Sequence, residues 1–224
     1  GLNVTIPHKQ NVIELMDELT PTAKAIGAVN TIYLHEDKLI GDNTDTSGFL
    51  SDLKRFLTLE CDSLLSHLQE QAPALQKKAL VLGAGGSARA IVYALLCDGW
   101  DVTIAARRIE QAQQLSQSFG KYDLRLSTFD FQPSTFDLIV NTTPLGMTPN
   151  IEDSPLPENM VLSPKTVIYD LIYNPRETKL VKDARAQGLS ATTGLGMLIE
   201  QAALAFEKWT GAKADRDAMQ KAVA

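Results

Sequence analysis

Three polar residues, Lys9, Asn30 and Asp45, are of the types that a proton-transfer site needs. A lysine and an aspartate brought together form an ion pair able to give a proton and recover it, while an adjacent amide orients a hydroxyl. Hydride transfer to a ketone needs such a donor, because the carbonyl oxygen gains charge as the hydride arrives. Each residue is ordinary when taken singly. Asn30 interrupts the apolar run of Gly27-Ala28-Val29-Asn30-Thr31, and Asp45, in a loop just before a helix, also suits a plain N-cap. Lys9 ends Asn3-Val4-Thr5-Ile6-Pro7-His8-Lys9, read as an alternating strand that runs into a proline suited to a first helical turn. That corner sets Thr5 and Lys9 to face one small ligand.

A second stretch points to a nucleotide. Ala79 to Leu82 is an apolar strand entering Gly83-Ala84-Gly85-Gly86-Ser87-Ala88, which opens a helix. Gly83 permits the tight turn, Gly85 lets backbone approach a pyrophosphate, and Ala88 is the small residue where helix packs on strand. Free N–H groups and the macrodipole at the helix N-terminus favour the anion. At the end of the next strand an NAD site would carry an acid for the ribose 2′-hydroxyl, but this chain has Ala105-Ala106-Arg107-Arg108. Two guanidinium groups suit a 2′-phosphate, so NADP is expected.

The elements that must position these residues follow from periodicity. Val12, Ile13, Leu15 and Met16 predict a helix after Pro7, and Thr20-Pro21 opens another that ends at Gly27. Ala28–His35 and Lys38–Ile40 read as a hairpin, 41–48 as a polar loop, and Phe49 to Leu57 as an amphipathic helix, with a further helix over 61–71. From Lys77 the texture changes to short apolar strands (79–82, 102–105, 124–128, 138–140, 166–171) alternating with helices from Ser87 and Glu110. This is the pattern of βαβ units on a parallel sheet. A strongly apolar helix over 195–209 and a shorter one over 215–223 close the chain. The expected fold is therefore α/β: a Rossmann-type doubly wound parallel sheet plus a smaller α/β substrate lobe. The lobes are a substrate-binding, catalytic one over 1–76, apparently truncated at its start, and an NADP-binding one over 77–195, with helices over 196–224 returning to the first.

The 224 residues include 44% hydrophobic and 21% charged, a globular balance, and the net charge of −6 argues against a nucleic-acid or acidic-membrane partner. No apolar run is long enough to span a membrane. Cys61 and Cys97 lack metal-ligand spacing, as do His8, His35 and His67, so no metal site is expected, and the cysteines read as reduced cytosolic thiols. Trp100 and Trp209 read as packing residues. A strand almost at Gly1, with no methionine, reads as a polypeptide entered partway through.

The Asn3–Lys9, Gly27–Thr31, Gly41–Asp45 and Gly83–Ala88 stretches, together with Asn141-Thr142-Thr143-Pro144-Leu145-Gly146-Met147, Asp170-Leu171-Ile172-Tyr173-Asn174-Pro175 and Gly194-Leu195-Gly196-Met197-Leu198 with Gln201, resemble shikimate dehydrogenases. The resemblance implies reversible reduction of 3-dehydroshikimate to shikimate with NADPH, on the route to chorismate and the aromatic amino acids. It implies Lys9 and Asp45 as the catalytic pair, and Thr5, Asn30, Tyr173 and Gln201 on the substrate's hydroxyls or carboxylate. It implies Gly83, Ala84, Gly85, Gly86 and Ser87 at the pyrophosphate, and Leu171, Gly194 and Met197 along the nicotinamide. It implies Arg107 at the 2′-phosphate, with Ala106 and Arg108 where the family has asparagine and threonine. A small-molecule partner, a cytoplasmic location and a monomer or homodimer go with it. Thr193 stands in place of a frequent aspartate, and the family's first strand and hydroxyl-bearing loop have no match, so an incomplete carboxylate grip is expected. The rivals are a quinate/shikimate dehydrogenase of broader specificity and an NADP-binding module without turnover.

Overall fold

The computed structural model describes residues 1–60, 77–120, 122–128, 135–158 and 160–223. In chain order, β1 (Leu2–Asn3), a 3-10 turn (Asn11–Leu15), β2 (Glu18–Leu19), α1 (Pro21–Ile26), β3 (Thr31–His35), β4 (Lys38–Asp42) and α2 (Asp45–Glu60) come first. Next are β5 (Lys78–Leu82), α3 (Gly86–Cys97), β6 (Asp101–Ala105), α4 (Ile109–Ser118), β7 (Arg125–Ser127), β8 (Leu138–Asn141) and β9 (Val167–Asp170). The chain continues through α5 (Lys179–Ala186), β10 (Ala191–Thr193), α6 (Leu195–Thr210) and α7 (Arg216–Val223). The first four strands form a mixed sheet in the order β1-β3-β4-β2. The other six form an all-parallel sheet in the order β10-β9-β8-β5-β6-β7. That is the doubly wound order, reversing direction between β5 and β8.

Strand side chains alternate between faces, so a parallel sheet covered on both sides needs two apolar sets. Ala79, Val81, Val102, Ile104, Leu138, Val140, Val167 and Tyr169 share one core with Phe49 and Leu53 of α2, Ile91 and Leu95 of α3, and Met197 of α6. Leu80, Leu82, Ile139 and Ile168 face the other core with Leu180 and Val181 of α5. Thus α2 is continuous with the small sheet yet packs on the large one. The Phe49 ring meets Tyr169 edge-on at 5.0 Å between centroids. Among the described residues no helix is long and apolar enough to cross a membrane.

Several expectations need correction. Only Leu2–Asn3 of the opening segment pairs as a strand, and no α-helix starts at Pro7. The Lys9 carbonyl, which a helix would bond to Ile13, instead accepts the Val29 N–H at 2.7 Å, and Ile13 bonds Gln10 in a tighter 3-10 turn. The supposed loop 41–48 is mostly regular: β4 runs to Asp42 and α2 begins at Asp45. Asn43 makes this corner by accepting the Asp45 N–H on its side chain at 3.1 Å, so Asp45 lies inside the first turn and is not the cap. Strand β3 starts at Thr31 rather than Ala28. By contrast α1 has the expected Thr20 cap, bonded to the Ala23 N–H, and the left-handed Gly27 stop. Helix α5 and strand β10 are additions that the apolar pattern does not predict. The helix expected over 61–71, with Cys61, His67 and the lobe boundary near 76, lies outside the described residues.

Candidate active site

Asp45 enters the first turn of α2, where the helix dipole favours an anion. Its Oδ2 accepts from Lys9 Nζ at 2.7 Å and its Oδ1 from Asn30 Nδ2 at 2.8 Å. The Lys9 and Asp45 side chains are 12% and 6% exposed, so the pair is shielded from bulk water without being sealed. Asn30 is the hub of this cluster. Its Nδ2 also reaches Thr44 Oγ1 at 3.0 Å and Gln201 Oε1 at 3.3 Å, while its Oδ1 accepts from the Thr44 N–H at 2.7 Å. Gln201 comes from α6, and its Nε2 donates to Leu198 O at 3.0 Å, which leaves Oε1 toward Asn30. Four segments far apart in sequence thereby converge on one proton-bearing pair.

The pair lies against the glycine turn. A Cβ on Gly86 would stand 3.5 Å from the Lys9 Cβ, so the lysine stem passes directly over the start of α3. Gly83 follows β5 at φ +109, and a side chain there would strike Thr142 Oγ1 just beyond β8. The turn therefore sits in the crevice between β5 and β8, where the strand order reverses and where open α/β sheets bind ligands. A Cβ on Gly85 would meet nothing within 4 Å, and no side chain caps the first turn of α3. Its N–H groups are thus available to an anion at an open backbone cradle.

Arg107 and Arg108 are exposed beyond β6, and neither forms an ion pair among the described residues. Arg108 is the N-cap of α4 but makes no capping bond. Cations at a helix N-terminus are disfavoured by the dipole, so a simple basic cap does not account for two of them. The glycine cradle and this unpaired basic corner fit a dinucleotide carrying a 2′-phosphate.

On the other side of the crevice, Asn141 ends β8 and Asp170 ends β9. Asp170 is fully buried and accepts from Asn141 Nδ2 at 2.9 Å, the Ile172 N–H at 3.1 Å and Thr178 Oγ1 at 2.7 Å. Burial outweighs these bonds and pushes its carboxyl up to about 6. The network fixes the Asp170–Ile172 corner against which α6 begins. A Cβ on Gly194 would overlap Leu171 O, so only glycine fits there, and the Gly194 N–H donates to Ile172 O at 3.0 Å. Met197 is buried in the core one turn later.

The structure therefore groups Lys9, Asn30, Asp45 and Gln201, and separately Leu171 with Gly194. It does not join Thr5 or Tyr173 to the pair: both are exposed and make no side-chain hydrogen bond among the described residues. Thr44 bonds Asn30 through both its N–H and its hydroxyl and belongs with the site. Sequence reasoning misses it, although its place between Asn43 and Asp45 is a usable signal. No group of His, Cys, Asp and Glu suited to a metal occurs among the described residues. A cavity of about 450 Å³ lined by Arg55, Phe56, Arg185, Ser190 and Thr192 contains none of these site residues.

Comparison with known proteins finds relatives along the whole chain. A family model described as "Shikimate / quinate 5-dehydrogenase" matches residues 66–184. The "Shikimate dehydrogenase substrate binding domain" matches 1–32, and the "Shikimate 5'-dehydrogenase C-terminal domain" matches 194–224. "Shikimate dehydrogenase (NADP(+))" of Carboxydothermus hydrogenoformans is 42% identical over 100% of this chain and 76% of its own length. The protein of the same name from Salinibacter ruber is 43% identical over 100% and 76%. The crystal structure of shikimate 5-dehydrogenase from Thermus thermophilus in complex with NADP(H) and shikimate superposes with a TM-score of 0.82, at 36% identity over 99% of this chain and 77% of that one. With its doubly wound sheet, its glycine cradle and sequence likeness from end to end, this chain belongs to the shikimate dehydrogenase family.

Proposed function

We propose that this chain reduces 3-dehydroshikimate to shikimate with NADPH, reversibly, and that Lys9 and Asp45 handle the proton. The observation that carries this reading is the 2.7 Å Lys9–Asp45 pair, held from behind by Asn30 and set against Gly86 of the glycine turn. NADPH, when bound, supplies the hydride. Gly83, Ala84, Gly85, Gly86 and Ser87 would hold its pyrophosphate, Arg107 and Arg108 its 2′-phosphate beside Ala106, and Leu171, Gly194 and Met197 its nicotinamide. Lys9 gives its proton to the ketone oxygen as charge develops there, and Asp45 orients the ammonium and helps recover the proton in reverse. Asn30, Gln201, Thr5 and Tyr173 hold the ring hydroxyls or the carboxylate. The small sheet with α2 forms the substrate lobe over 1–76, the parallel sheet the cofactor lobe over 77–195, and residues 196–224 return to the first. The same reading places the protein in the cytoplasm, as a monomer or homodimer whose partner is a small molecule.

Steady-state kinetics with 3-dehydroshikimate and NADPH on the full natural chain test this. Acid catalysis of this kind is worth roughly 10²–10⁴-fold, so Lys9→Ala should lower kcat by that much with little change in KM. Asp45→Asn should lose a similar factor, and the double variant should be little worse, because the two act as a unit. An effect on KM alone would make Lys9 a substrate anchor and refute its role as the proton donor.

A further inference from the structure

Arg89 lies in the first turn of α3, three residues after the Gly86 that abuts Lys9, and its side chain crosses to the other lobe. Its Nε donates to Ile26 O, the last carbonyl of α1, at 2.9 Å. Its Nη2 lies where a Cβ on Gly27 would come within 2.9 Å, and Gly27 itself holds the left-handed φ of +68 that ends α1. Burial is the only influence that shifts this guanidinium, downward, and no carboxylate among the described residues pairs with it. A half-buried cation without an anion is costly. The carbonyl end of a helix is a neutral partner that compensates it.

The segment immediately after Gly27 fixes the proton-transfer pair. The Val29 N–H holds the Lys9 carbonyl at 2.7 Å, and Asn30 holds Asp45 at 2.8 Å. Beside Arg89 the junction is also apolar: Ile26, Ala28 and Ala90 are fully buried against one another. Thr46 Oγ1, one residue from Asp45, donates to Ala90 O at 3.4 Å. The glycine turn and the Gly27–Asn30 segment are therefore joined within one turn of α3, and Arg89 is the charged part of that joint.

We propose that Arg89 is a positioning residue that couples the pyrophosphate end of α3 to Lys9 and Asn30, so that an occupied cofactor site raises the affinity for the ring-acid substrate. The inference rests on the proposed active site. Arg89 acts through Ile26 and Gly27 and, among the described residues, forms no hydrogen bond or ion pair with Lys9 or Asp45. Coupling of this kind is reciprocal and is measured as the ratio of shikimate dissociation constants without and with NADP+. A residue with only a structural role alters stability and leaves that ratio alone.

The test is calorimetric titration of the full natural chain with shikimate, with and without saturating NADP+, and with NADP+ alone, for wild type, Arg89→Met and Arg89→Lys. Wild type should bind shikimate about fivefold or more tightly when NADP+ is present, the low end of ordinary coupling. Arg89→Met should bring the ratio close to one while leaving the affinity for NADP+ alone nearly unchanged. Arg89→Lys, which keeps the cation but not the fork, should fall between them. If Arg89→Met does not fold, Arg89→Lys decides: an intermediate ratio supports the proposal and a wild-type ratio overturns it. A wild-type ratio of one would also overturn it. Normal turnover with an unchanged ratio in Arg89→Met would sink this inference alone, whereas failure of wild type to bind shikimate at all would remove the functional reading and this inference together.

Discussion

Asn30→Asp changes one atom type in the side chain and keeps its shape, yet it should disable the site in a pH-dependent way. Asn30 Nδ2 donates to Asp45 Oδ1 at 2.8 Å, and the pair is buried. A second carboxylate there would repel the first by about 6 kcal/mol at an effective dielectric of 20. Protonating a carboxyl of ordinary pKa near 4 at pH 7 costs only about 4 kcal/mol, so the pair takes up one proton instead. The folded-state pKa is then raised above the unfolded value. Stability is therefore fully present below about pH 4 and is lost as pH rises toward the folded pKa, at about 1.4 kcal/mol per unit. Relative to wild type, the variant should be about 4 kcal/mol less stable at pH 7 and about 1.5 kcal/mol less stable at pH 5. The protonated carboxyl donates to Asp45 as the amide did, so the fraction of wild-type activity retained should rise toward acidic pH. Urea unfolding and kcat at pH 5, 6, 7 and 8 provide the measurements. A stability difference that does not change with pH would refute the reasoning.

Two further outcomes are expected. Asp170, whose carboxyl burial raises to about 6, binds a proton in the folded state at pH values where the unfolded chain has lost it, so its charged form weakens the fold above pH 6 and the penalty disappears toward pH 4. Asp170→Asn should therefore gain up to about 3 kcal/mol relative to wild type between pH 4 and 7, and parallel stability curves would contradict this. Arg107→Ala should weaken NADPH by about 1.5–3 kcal/mol and NADH far less, as read by nucleotide fluorescence titration, and equal weakening of both would remove Arg107 from the 2′-phosphate.

Local chemistry makes much of this molecule legible in the residues themselves. The Thr20 cap and Gly27 stop are readable because each depends on one side chain or its absence. The parallel strands are readable because burial on both faces demands continuous apolar runs. Other features depend on distant partners. Lys9 is drawn out of a helix by the Val29 N–H, twenty residues away, and nothing in Pro7-His8-Lys9 announces that bond. Likewise α5 shows only a few apolar positions, Leu180, Val181 and Ala184, and β10 is three residues long. Arg89 carries no signal of its own in the sequence, because its meaning lies in the Ile26 carbonyl at the end of α1.

The convergence of Gln201 on Asn30 has its own cause, the close crossing of α2 and α6. Each helix contributes one glycine to that crossing. A Cβ on Gly48 would stand 2.8 Å from the backbone N of Gln201, and one on Gly196 would overlap Asp52 Oδ1. Neither contact leaves room for a methyl group, so any side chain at either position must push the helices apart. The buried Asp52 carboxylate closes the same crossing from within, accepting the Tyr169 hydroxyl at 2.6 Å and pairing with Arg55. Because Asp45 begins α2 and Gln201 rides on α6, the separation of these two helices sets whether the Asn30 amide can reach both at once. The glycines at 48 and 196 are thus as much a condition of the Lys9–Asn30–Asp45–Gln201 cluster as the polar residues that form it.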